Sequence, residues 1–130
     1  MKGGFSMATV MVVAPDEVRE ARQILGLTQL QAGVAFGGVR PETISRWERS
    51  SLQNRPNVRP LHAEIMRQLT QAANLLQELY PDDADRREFL NSPQRELGGR
   101  TPVEAMLQDP PYGLRDVARL LGRMAEGIPT

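Results

Sequence analysis

The stretch Phe89–Met106, FLNSPQRELGGRTPVEAM, holds two helix ends around a rigid turn. Phe89 and Leu90 finish one helix, and Ser92-Pro93 breaks it. Gly98-Gly99 makes a turn, and Thr101-Pro102 opens the next helix. A threonine oxygen can accept from the free N–H groups of a helix start. Proline is tolerated at the first helical position because its missing N–H would have no partner there. Glu104 follows Thr101 by three residues, the spacing of a capping box. Nothing in the stretch carries catalytic chemistry. It sets a helix–turn–helix junction and points to an all-α fold.

Toward the C-terminus, Asp109-Pro110-Pro111-Tyr112-Gly113 reads as a rigid loop. A last helix follows, predicted over about residues 114–126. Leu114, Val117, Leu121 and Met124 share its apolar face, with Ala118, Leu120 and Ala125 beside them. Arg115, Arg119 and Arg123 recur at i, i+4 and i+8 on the other side. That stripe is either a solvated face paired with nearby acids or a partner surface. Gly127-Ile128-Pro129-Thr130 forms a tail.

Toward the N-terminus, Pro81-Asp82 divides the helix ending near Leu90 from the longest one, predicted over Leu61–Tyr80. At 1.5 Å per residue that helix is roughly 30 Å long. Leu61, Ile65, Leu69, Ala73, Leu76 and Tyr80, widened by Ala72, Leu75 and Leu79, make a band broader than one core-facing stripe needs. A second subunit on that helix is the expectation; a central helix of a monomeric core is the alternative. His62 is the single histidine, which suits a structural or solvated role rather than a metal ligand. Before it, SSLQNRPNVRP at 50–60 is a linker.

Three shorter helices precede the linker. The first starts at Pro15 or Asp16, carries Val18, Ala21, Arg22 and Leu25 at helical spacing, and ends at Gly26. Thr28 caps the second, TQLQAGVAF, which Gly37-Gly38 ends; the third is PETISRWERS from Pro41. Two tight junctions in this length make a helix-turn-helix. Gly33 inside the second helix costs about 1 kcal/mol in propensity, so close helix–helix approach is the reason to expect it there. In the third helix Ile44 and Trp47 face inward. Thr43, Ser45, Arg46 and Arg49 are left outward, with Arg40 and Glu42 at the N-terminal end. A recognition helix reads base edges with such residues; a solvated polar face is the competing account. Residues 1–14 form a flexible arm, a short edge strand or a cloning remnant, without a functional reading.

Composition narrows the classes. No apolar run approaches the roughly 20 residues that a bilayer needs. Val10–Ala14 is too short for a secretory core. The absence of cysteine excludes disulfide and thiolate chemistry, and a cytoplasmic address is the default expectation. Net charge is +0, so gross electrostatic binding of nucleic acid is not expected, but charge is segregated. Five Arg and two acids lie between Arg40 and Arg59; five acids and two Arg lie between Glu78 and Glu88.

LGLTQLQAGVAFGGVRPETISRWE resembles the Xre/Cro-type helix-turn-helix of bacterial repressors and antitoxins, with Gly37-Gly38 adding one residue at the turn. Residues 76–130 resemble the toxin-binding domain of Xre/MbcA/ParS-type antitoxins. Phe89-Leu90, Pro93, Leu97-Gly98-Gly99-Arg100-Thr101-Pro102, Gly113 and Met124-Ala125-Glu126-Gly127 carry that likeness. Phe89 stands where Trp is usual, and Gln94 where Asn usually follows the proline.

The resemblance implies a type II antitoxin whose partner is a RES-domain toxin that depletes NAD. The C-terminal helix and tail would cover the toxin's active site. The implied toxin-binding residues are Arg115, Arg119, Arg123, Met124, Glu126, Gly127, Ile128, Pro129 and Thr130. Operator DNA, read by Arg40, Glu42, Thr43, Ser45, Arg46 and Arg49, is the second expected partner; a homodimer or higher oligomer is expected, and no membrane and no cofactor. The expected division is an arm at 1–14, a helix-turn-helix domain at 15–54, a linker and dimerisation helix at 55–80, and a toxin-binding domain at 81–130. A helix-turn-helix repressor without a toxin partner is the rival reading. An enzyme is the weakest, with one histidine, no clustered metal ligands and no phosphate loop.

Overall fold

Proline at the first turn and helical spacing of Val18 and Ala21 build α1 (Pro15–Ile24) in the computed structural model. That structure describes residues 15–49 and 59–127. The N-terminal arm, linker residues 50–58, and Ile128, Pro129 and Thr130 of the tail lie outside the described residues. Among the described residues the regular structure is all helical. After α1 come α2 (Gln29–Ala35), α3 (Pro41–Arg49), α4 (Pro60–Leu79), α5 (Asp83–Leu90), α6 (Pro102–Gln108) and α7 (Tyr112–Ala125).

The helix starts are set by the residues at their ends. Thr28 and Gln31 form a reciprocal capping box on α2, a pairing the sequence reading left out. Thr101 and Glu104 form the expected one on α6. Asp82 caps α5 by accepting from the Ala84 N–H. Each such cap is worth about 1 kcal/mol. Between α5 and α6 a three-residue 3-10 turn, Arg95–Leu97, precedes the two glycines. Gly98 and Gly99 have φ of 72° and 85°, the left-handed region that other residues avoid. The Gln94 carbonyl accepts from Leu97 and Gly99, and the Gln94 N–H donates to the Arg100 carbonyl, closing the turn.

Helix α4 is the spine. Ile65, Met66, Leu69, Ala72, Ala73 and Leu76 are buried along it. Helix α7 lies against one side and α1 against another. The width of the apolar band therefore serves two neighbours within one chain. Leu61, expected in that band, is 61% exposed, because it lies in the first turn, at one end of the packed region. One continuous buried cluster runs from Val18 and Leu25 through Phe36, Ile44 and Trp47 to Leu90, Met106, Leu114 and Leu121. The three N-terminal helices and the C-terminal helices thus share a core. Their turns also approach each other: a Cβ on Gly26 would meet Leu90 at 3.6 Å, and one on Gly37 would meet Pro111 at 4.0 Å.

Two glycines show why small residues were needed. A Cβ on Gly33 would overlap the Val39 carbonyl oxygen, and one on Gly113 the Ala105 carbonyl. The Gly33 carbonyl also accepts from the N–H groups of Gly38 and Val39, at 3.0 and 2.9 Å, which folds the α2–α3 turn back on α2. Gly113, read as the end of a loop, lies in the first turn of α7, which starts at Tyr112. The glycine lets α7 begin two residues early, pressed against α6.

Replacing Gly33 by Ala should lower unfolding stability by about 2–3 kcal/mol, because backbone must move to make room. Urea denaturation of Gly33→Ala and wild type measures this.

Candidate functional site

The candidate DNA-reading face is on α3. Ile44 and Trp47 are buried, as their spacing required. Arg40, Glu42, Arg46 and Arg49 are exposed, and Thr43 and Ser45 are half-buried. The structure therefore gathers all six expected residues on α3 and its N-terminal approach, on the side away from the core.

What fixes this helix was missed in the sequence. Glu48 is 3% exposed, a carboxylate buried at the junction of three helices. Arg22 of α1 donates from Nε to Oε2 at 2.7 Å and from Nη2 to Oε1 at 3.1 Å. Gln29 of α2 donates to Oε1 at 3.0 Å. Arg19 donates to the Glu48 backbone carbonyl at 2.9 Å, and Arg22 also reaches the Leu27 carbonyl at 3.0 Å. Burial alone would raise the Glu48 pKa. The hydrogen bonds from Arg22 and Gln29, with the charges of Arg22 and Arg19, outweigh burial and hold it below the usual carboxylate value. In the string Arg46-Trp47-Glu48-Arg49 this acid looks like one more surface charge. The available signal was its place next to Trp47, on the inward edge of the helix.

His62, at the start of α4, adds a second brace. Its ring lies 5.9 Å from Trp47 and 6.5 Å from Phe36, and those two rings are 6.0 Å apart. Burial, and then the nearby Arg59 charge, lower the His62 pKa. The imidazole is thus neutral at neutral pH and packs as an aromatic, as a lone structural histidine would. Among the described residues, no group of three or more His, Asp or Glu could hold a metal ion.

The second candidate surface is α7. Leu114, Val117, Ala118, Leu120 and Leu121 are buried, while Arg119, Arg123 and Glu126 are exposed and Arg115 and Met124 half-buried. Arg115 lies over the Tyr112 ring, 5.1 Å from its centroid, and its Nη2 is 3.5 Å from Asp116 Oδ1. The stripe borders a groove of about 310 Å³ between α4 and α7. Gly127, with φ of 75°, follows the helix and starts the tail. Of the nine expected toxin-binding residues, six lie together on α7 and at its end; the other three are Ile128, Pro129 and Thr130.

This geometry has a match among known proteins. Residues 75–127 match the family model described as the antitoxin Xre/MbcA/ParS C-terminal toxin-binding domain. That match places a toxin-binding domain of antitoxins in the C-terminal part of this chain. The fold as a whole is similar to a chain in the crystal structure of the M. tuberculosis MbcT–MbcA toxin–antitoxin complex. The TM-score is 0.59 at 23% identity, over 89% of this chain and 96% of that one. At that identity the likeness shows a shared fold. No curated protein matches the chain. No helix among the described residues is long and apolar enough to cross a membrane.

Glu48→Gln should cost about 3 kcal/mol at neutral pH, since it leaves the Arg22 guanidinium buried without its counter-charge. Because the folded-state pKa is depressed, this stabilisation is complete above the unfolded value of about 4.3 and fades as pH falls through the folded one. The gap between wild type and variant should therefore narrow below pH of about 4. Urea titrations across acidic pH measure it.

Proposed function

We propose that this antitoxin neutralises a RES-domain, NAD-depleting toxin by laying α7 and its tail over the toxin's active site, and that α3 reads operator DNA for autoregulation. The observation that carries the first part is the division of α7. One face is locked into the core that α4 and α6 complete. The other presents Arg119, Arg123 and Glu126 to solvent and runs directly into the Gly127 turn. A rigid helix pre-positions such an interface, which reduces the ordering cost of binding. A cleft shaped for a dinucleotide's phosphates accepts an acidic group, and Glu126 supplies one. On this reading the chain acts by occupying a site and performs no chemistry itself.

DNA recognition rests on the exposed Arg40, Arg46 and Arg49 at one helix whose seating is fixed by Glu48. Arginine can read guanine in a bidentate fork, and a pair of chains would reach two half-sites.

Co-expression with the adjacent reading frame, followed by co-purification and an NAD-consumption assay, tests the reading. A stable complex is expected, with NAD lost only when this chain is absent. Deleting residues 127–130 should spare the thermal midpoint and operator binding but release toxin activity; a fully inhibitory truncation overturns the covering mechanism. Arg46→Ala should weaken operator affinity by about 1–3 kcal/mol if it contacts a base, measured by fluorescence anisotropy.

A further inference from the structure

Gly33 and Gly113 are explained by backbone pressed against them, but Gly122 is not. A Cβ there would meet nothing within 4 Å. A glycine inside a helix destabilises it relative to alanine, so position 122 carries a penalty that no contact among the described residues requires. Gly122 and Ala118, one helical turn apart, line the α4–α7 groove. Around them stand Arg115, Arg119 and Arg123 of α7 and Arg67 of α4, with Glu64 and Glu126.

The charge is unbalanced. Arg67 pairs with Glu64, and Arg115 with Asp116. Arg119 and Arg123 make no ion pair with the described residues. The Arg115 Nε is shielded from solvent and has no acceptor within the described chain. An open floor, donors without acceptors and cationic walls fit carboxylate side chains brought in by a closely approaching backbone. The groove also reaches Glu126, next to the tail, so a partner held by the tail already sits at its end.

We propose that the α4–α7 groove is a further docking site for the toxin, receiving carboxylate side chains from an acidic surface segment, with Gly122 the point of closest approach. This rests on the proposed function. It extends the interface to Arg67, which lies outside the matched residues 75–127.

The test uses the full chain and the purified protein of the adjacent reading frame, with affinity from calorimetry and thermal midpoints measured alongside. Gly122→Ala should keep or raise the midpoint. Gly122→Leu should fold and bind the toxin at least ~10-fold more weakly. Arg67→Glu should also weaken toxin binding and reduce its salt dependence, without altering operator binding. If wild type binds while Gly122→Leu and Arg67→Glu bind within about twofold of it, the groove proposal is overturned and the covering mechanism stands. If these variants lose operator DNA instead, the occupant is nucleic acid and the proposal is equally overturned. If wild type does not bind the toxin, the proposed function falls and the groove reading with it.

Discussion

A buried carboxylate with three side chains around it holds the N-terminal half together. Glu48 could not be placed in the core without partners, since an ionised group without them costs several kcal/mol. Arg22 and Gln29 meet its oxygens, and Arg19 meets its carbonyl. The three helices are thereby fixed in relative angle by directional bonds rather than by apolar contact alone. Helix α1 is the link, since it carries Arg19 and Arg22 on one side and packs on α4 with the other. From α4 the constraint passes to α7. The orientation of the candidate DNA-reading helix and that of the candidate toxin-facing helix are therefore set within one framework.

Much of the fold was legible because helix ends announce themselves chemically. Thr101 with Glu104, Asp82, and the paired glycines after α2 and before α6 each mark a boundary that the structure keeps within a residue or two. What could not be read was which apolar residue meets which. The broad band on α4 is consistent with a dimer seam or with two neighbours in the same chain. Only the packing of α1 and α7 shows that two neighbours in the same chain use it. Leu61 fits the period as well as Ile65 does, yet it is exposed in the first turn of the helix. Gly113 read as loop because glycine usually marks turns; its real role is to let two backbones touch.

The candidate site was legible as faces rather than as contacts. Spacing alone put Arg40, Arg46 and Arg49 outside α3, and Arg119 and Arg123 outside α7. Glu48 escaped because periodicity weighs hydrophobicity, and a charged residue is buried only when distant partners arrive. Arg22 and Gln29 lie 26 and 19 residues away in sequence, beyond any local pattern. The groove between α4 and α7 was invisible for the same reason, since its walls come from helices separated by the whole α5–α6 turn.

The shared core has an evolutionary consequence. Where two modules are joined by a linker alone, recombination can exchange one half for another and leave both working. Here Gly26 and Gly37 leave little more than the room of one methyl group before Leu90 and Pro111, and one apolar cluster crosses the boundary. A hybrid taking its N-terminal helices from one lineage and its C-terminal helices from another would inherit a mismatched seam. Change is then cheapest in the outward residues of α3 and α7, where it leaves the common interior untouched.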